Sequence, residues 1–215
     1  MTDLIPEFHV PEFRVIETLG WSPTTGALRL DRHLARMART CDALGILVPE
    51  ARLRDLISAL TSKGDLRVRL TVDRDGQGRL EHWPLAPTAD HWTIAIADTH
   101  LKSTDIWLGH KTTNRGLYDD ARATLPKDID EMIFLNERDE VCEGTITNVF
   151  VQKGDVLLTP PLASGLLPGI LREELLETGR AIEAVLIQND LHDADAVFCG
   201  NALRGHIPSS LIRGA

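Results

Sequence analysis

Residues 110–150 read HKTTNRGLYDDARATLPKDIDEMIFLNERDEVCEGTITNVF, and they hold the pattern on which the fold turns. Lys111 precedes a polar, helix-compatible segment that takes in Leu117 and Tyr118. Glu143 comes 32 positions later, behind an apolar run and at the head of Gly144-Thr145-Ile146-Thr147-Asn148. Either residue alone reads as a solvated charge, because lysine and glutamate are mostly exposed in folded proteins. Glu131 to Leu135 and Val141 to Phe150 are expected to form a strand pair around the turn ERDE.

Working outward, the chain mixes strands and helices without regular alternation. Residues 1–12 carry Pro6 and Pro11 and are expected to be an extended arm. FRVIETL (13–19) is β-prone, and SPTTG (22–26) reads as a hairpin turn. Leu34, Met37, Cys41 and Leu44 recur at helical steps, with Asp31 as a candidate cap and Arg36 pointing away from the stripe. Pro49 opens a second helix carrying Leu53, Leu56, Ile57 and Leu60, which Gly64 ends. Leu66, Val68, Leu70 and Val72 alternate with polar residues in a half-buried strand, followed by the turn DRDGQG and a returning strand. LAPTAD (85–90) is the boundary, giving an N-terminal α+β subdomain (1–88) and a C-terminal α/β subdomain (89–215). Within the latter, WTIAIA (92–97), VLLTP (156–160), Ala184 to Ile187 and Ala196 to Cys199 read as strands. Gly169 opens a helix with Ile170, Leu171, Leu175 and Leu176. This pattern favours two mixed subdomains over a doubly wound sheet.

Composition narrows the function. Lys plus Arg number 23 against 32 Asp plus Glu, a formal charge of -9 that disfavours a phosphate-backbone partner, so no nucleic acid is expected. Cys41, Cys142 and Cys199 are far apart and lack metal-ligand spacing, so no metal is expected either. The N-terminus lacks a signal-peptide pattern, and no run reaches about 18 apolar residues. Free thiols, a cytoplasmic setting and no membrane partner are the expectation.

Lys111 with Asn114-Arg115 behind it, EGTITNVF at 143–150 and GILR at 169–172 together resemble the pyridoxal-phosphate enzymes called class IV aminotransferases, or fold type IV. That family includes branched-chain and D-amino-acid aminotransferases and 4-amino-4-deoxychorismate lyase. The resemblance covers roughly residues 15 to 210. It implies a mixed α+β and α/β fold of two small subdomains with pyridoxal 5'-phosphate between them. It also implies a small-molecule amino substrate and a homodimer.

The cofactor's chemistry assigns expected roles. Lys111 is the amine that takes its aldehyde and then moves a proton at the substrate carbon. Glu143 keeps the pyridine nitrogen protonated. Arg36, in RHLARM, resembles the family's phosphate arginine. Ile170 and Leu171 offer backbone N–H groups at a helix start, where anions bind. Asn201 and Ala202 stand where aminotransferases usually carry threonine or serine, and an asparagine amide can donate to a phosphate oxygen. This asparagine, and Asn114-Arg115, tilt the resemblance towards the lyase, which releases pyruvate and leaves p-aminobenzoate. A class IV aminotransferase acting on branched-chain or D-amino acids is the alternative, and a non-catalytic protein that keeps the fold is a distant one. The family's D-R-x-x-x-F-G-D-G turn has no counterpart ahead of Glu17-Thr18.

Overall fold

The computed structural model describes residues 12–212, so the arm expected at 1–12 lies almost wholly outside the described residues. The chain divides into two compact units. The first runs to Pro87 and also takes His110–Asn114; the second holds Thr88–Gly109 and Arg115 onward.

In the first unit, β1 (Val15–Ser22) turns at SPTTG into the short β2 (Gly26–Ala27). Two helices follow, α1 (Leu30–Ala43) and α2 (Glu50–Ser58), then β3 (Leu66–Val72) and β4 (Gly78–Pro84). The sheet order is β2-β1-β3-β4, with Glu17 opposite Leu70. Leu19, Val68 and Leu70 of the sheet and Leu34, Met37 and Leu53 of the helices are all fully buried. Asp31 does not cap α1: the cap is Arg29, in the left-handed region at φ 55°, with no side-chain bond. Asp31 instead lies in the first turn, exposed, with its carboxylate on Arg54. The second helix stops at Ser58, well before Gly64.

The second unit contains β5 (Trp92–Ile96), α3 (Gly116–Ala123), β6 (Glu131–Leu135), β7 (Val141–Gly144), β8 (Asn148–Lys153) and β9 (Val156–Thr159). After these come α4 (Ile170–Glu177), β10 (Ile182–Glu183), α5 (Gln188–His192), β11 (Ala196–Asn201) and β12 (Gly205–Leu211). The sheet order is β10-β9-β8-β11-β12-β5-β6-β7, and β7 pairs again with β8. Six strands therefore close into a ring, and the closing rung is Glu143 opposite Asn148. Period-two alternation sends Ile94, Ile133, Val149, Val151, Val197, Cys199 and Ile207 into one apolar cluster. Phe150 packs on the other side with Leu171 and Leu175 of α4, while Phe134 and Cys142 pack with Tyr118 of α3.

Two strand expectations change. Val141 to Phe150 is not one strand: residues 145–147 leave the ladder because the buried Glu131 carboxylate draws their N–H and O–H groups to itself. The strand expected at 184–187 lies at Ile182–Glu183 on β9. Residues beyond it run along β7, where Val141 N–H donates to Leu186 O at 2.7 Å.

Candidate active site

Lys111 belongs to the first unit and is fixed by its backbone. Ile16 N–H donates to Lys111 O at 2.9 Å, Thr113 N–H donates to Arg14 O at 2.9 Å, and Val15 bridges Thr112. Thr112 is buried, so strand alternation turns the partly buried Lys111 side chain to the other face.

Arg36 does not point away into solvent. Its side chain is buried and forked onto Glu17 of β1, with Nε 2.8 Å from one carboxylate oxygen and Nη2 2.7 Å from the other. His33 Nδ1 lies 2.7 Å from the same carboxylate. The buried face of α1 therefore includes His33, Arg36 and Thr40 beside its apolar residues, because Glu17 offers the charge a buried guanidinium requires. Burial alone would raise the Glu17 pKa, but the Arg36 charge and the His33 and Arg36 bonds bring it down to about 2. Removing one partner of such a buried pair costs about 3 kcal/mol or more. Arg36→Ala is therefore expected to lower stability by that order and also to weaken cofactor binding, while Arg39→Ala, on the exposed face, does little of either. Urea unfolding and cofactor titration check both; equal cofactor affinities in the two variants would remove Arg36 from the phosphate role.

In the second unit Glu143 is buried and held at both oxygens. The Tyr118 hydroxyl donates to Oε1 at 2.7 Å, and Leu167 N–H donates to Oε2 at 3.1 Å. Burial, then the Glu143 charge, pushes the Tyr118 phenol pKa far up, so it stays a donor. Asn148, across the closing rung, donates to Leu167 O at 3.0 Å. Gly169 is pressed on the same asparagine: a Cβ there would lie 1.8 Å from Asn148 Oδ1. Only a glycine permits this approach, which sets the α4 start beside the Glu143 rung. Gly169 caps α4 without a side-chain bond. Ile170 and Leu171 bury their side chains in the core and leave first-turn N–H groups for an anion. Arg172 of the GILR motif holds structure instead, with Nη2 donating to Pro160 O at 2.7 Å and paired with Glu183.

Asn201 ends β11. Its amide donates to Ile146 O at 3.2 Å, and its Oδ1 accepts Leu203 N–H at 3.0 Å and Arg204 N–H at 2.9 Å. Its carboxamide thus closes its own hairpin with Ala202 inside it.

Glu17, Glu131, Asn148 and the Tyr118 bond were not assigned from sequence. A signal existed for two of them, since Glu17 and Glu131 are charges set in apolar β-prone runs. Tyr118 is the only tyrosine of the chain. Among the described residues no group of three or more His, Cys, Asp or Glu could hold a metal, and no helix is long and apolar enough to cross a membrane.

The sequence profile of the amino-transferase class IV family matches residues 14–212. The chain belongs to the class IV aminotransferase family, and its fold is fold type IV. It is a pyridoxal-phosphate-dependent enzyme. A solved Mesorhizobium loti structure, provisionally named an amino-acid aminotransferase, is 44% identical with a TM-score of 0.89, covering 94% of this chain and 100% of that one. The 4-amino-4-deoxychorismate lyase of Pseudomonas aeruginosa is 26% identical with a TM-score of 0.82, covering 98% and 90%. A provisionally named aminodeoxychorismate lyase of Schizosaccharomyces pombe is 28% identical over 81% of this chain and 80% of its own length. A Thermotoga maritima protein named a probable branched-chain-amino-acid aminotransferase is 34% identical, but over 36% of this chain and 30% of its own length.

The donor set of the second unit fits pyridoxal phosphate. A buried carboxylate suits a ring N–H, and an uncapped helix start, reached through a glycine that admits no Cβ, suits the phosphate.

Proposed function

We propose that this enzyme is a 4-amino-4-deoxychorismate lyase, releasing pyruvate and leaving p-aminobenzoate. The carrying observation is the Asn201 hairpin. Its Oδ1 holds the N–H groups of Leu203 and Arg204, so these are not donors for a substrate α-carboxylate. A transaminase must grip that carboxylate in two successive half-reactions. A lyase has one substrate and no keto-acid step. The Schizosaccharomyces pombe and Pseudomonas aeruginosa relatives support this reading. A class IV aminotransferase is the second reading, favoured by the name of the Mesorhizobium loti relative.

When bound, pyridoxal phosphate supplies an aldehyde for the substrate amine and a ring that withdraws electrons from it. Lys111 holds the cofactor and then takes the proton from the amine-bearing substrate carbon. The bond from the neighbouring ring carbon to the enolpyruvyl oxygen breaks, the released enolate takes a proton at its methylene carbon to become pyruvate, and the substrate ring becomes aromatic. Glu143 holds the pyridine N–H, with Tyr118 fixing its carboxylate. Arg36, the Ile170 and Leu171 N–H groups and the Asn201-Ala202 hairpin hold the phosphate end. We further propose a cytoplasmic homodimer acting on this small amino substrate, with neither nucleic acid nor membrane as partner.

Purified enzyme given aminodeoxychorismate and no keto acid is expected to yield pyruvate and p-aminobenzoate in equal amounts. Stopped-flow absorbance should show branched-chain and D-amino acids converting the bound cofactor only slowly. Fast conversion by those amino acids, with no pyruvate from aminodeoxychorismate, would leave the aminotransferase reading.

A further inference from the structure

Glu131 opens β6 with no solvent exposure, and its carboxylate collects five donors. Met132 N–H lies at 3.1 Å, Thr145 N–H at 3.0 Å, Ile146 N–H at 3.2 Å and Thr147 Oγ1 at 3.1 Å, with the Thr145 hydroxyl in contact too. Arg122 Nη1 stands 3.5 Å away and is the cation beside it. Four of the five donors belong to residues 145–147. Gly144 is part of the same device: a Cβ there would lie 2.5 Å from Thr147 Oγ1 and 2.8 Å from Glu131 Cδ, so no other residue lets the turn close on this carboxylate.

The turn joins three pieces of the second unit. On its N-terminal side it continues Glu143 and Gly144, and Gly144 N–H donates to Thr147 O at 2.7 Å to make the rung that carries Glu143. Its Ile146 carbonyl receives the Asn201 amide, and its Thr145 carbonyl receives Arg115 Nη2 at 2.7 Å. A turn of three residues has no core of its own, so an anion behind it decides where its two outward carbonyls stand. We propose that Glu131 is a positioning residue: through the 145–147 turn it sets both the Glu143 carboxylate and the Asn201 hairpin for the cofactor. This rests on the roles proposed above for Glu143 and Asn201. Glu131 is not a donor or acceptor for the cofactor, because its oxygens are already engaged by the turn.

The test is Glu131→Gln, which keeps shape and one acceptor oxygen but loses the charge and the second. Two quantities are read: the dissociation constant for pyridoxal phosphate, and the pH midpoint of the bound cofactor's absorbance, which reports the ring environment. Removing a partner that orients a ligating group weakens the ligand roughly tenfold or more. Glu131→Gln is expected to weaken cofactor binding by about that factor and to move the midpoint. Leu191→Ala, a core truncation in α5, should lose stability and move neither reading. Thr147→Val, which removes one donor at constant shape, should shift both in the same direction by less, and it decides the matter if Glu131→Gln does not fold. Unchanged affinity and midpoint in the folded Glu131 or Thr147 variant, beside a shifted midpoint in Glu143→Gln, would overturn the positioning role alone. An unshifted midpoint in Glu143→Gln would reject the site roles, and this proposal with them.

Discussion

Replacing Lys111 by alanine is expected to cut turnover on the order of a thousandfold or more while leaving the fold in place. The fold should survive because Lys111 serves the first unit through its backbone. Its carbonyl accepts Ile16 N–H, and Thr112 rather than Lys111 is buried in the sheet. Alanine retains that backbone bond and leaves Thr112 in place. The amine itself is lost, and with it both the covalent hold on the cofactor and the proton carrier proposed for the substrate carbon. Borohydride treatment followed by peptide mass analysis is the decisive readout. The wild-type peptide containing Lys111 should gain the mass of the reduced cofactor, and the variant should gain none anywhere. Most of the activity surviving, or label on another lysine, would move the assignment. Lys153 is the weakest substitute, since its ammonium is tied to Asp190 at 2.6 Å.

Periodicity and turn chemistry made much of this fold legible. Alternation in LRVRLTV gave β3, helical steps from Leu34 to Cys41 gave α1, and Pro168-Gly169 marked the start of α4. What escaped was set by partners distant in sequence. Residues 145–147 look like strand continuation until the carboxylate of Glu131, fourteen positions back from Thr145, is placed behind them. Arg36 looks solvated on a helical wheel, but Glu17, nineteen positions away, turns that side of α1 inward. The strand β12 was missed because Pro208 breaks its pattern. In the structure Pro208 sits one residue before the ladder to β5 begins at Ser209, where a missing N–H is harmless. At the site, sequence resemblance singled out Lys111, Glu143 and the α4 start, the groups proposed above to meet the cofactor. The roles of Glu131, Asn148 and Tyr118 stayed unread although Glu131 stands out as a charge in an apolar run and Asn148 lies inside EGTITNVF: their hydrogen bonds go to other protein groups, and a motif letter does not record a partner.

Glu143→Gln isolates the electrostatic half of that site. An alanine there would leave the Tyr118 hydroxyl and the Leu167 N–H without their acceptor, at about 1–3 kcal/mol each, and confuse stability with chemistry. Glutamine avoids this. Its Oε1 can accept Leu167 N–H while its amide donates to the Tyr118 oxygen, since a phenol is both donor and acceptor. The negative charge is then the only large change. Without it the pyridine N–H has no counter-ion in a buried setting, and the ring loses the proton that makes it withdraw electrons. Removal of one preorganised electrostatic partner costs roughly a hundredfold to a thousandfold in rate. The expected result is a fall of about that size in kcat/KM at saturating cofactor, with urea unfolding close to that of the wild type. The pH midpoint of the bound cofactor's absorbance should move with it, in the direction of easier loss of the ring proton. A variant that keeps kcat/KM and that midpoint near wild type would make Glu143 a structural carboxylate that serves Tyr118 and Leu167 rather than the cofactor.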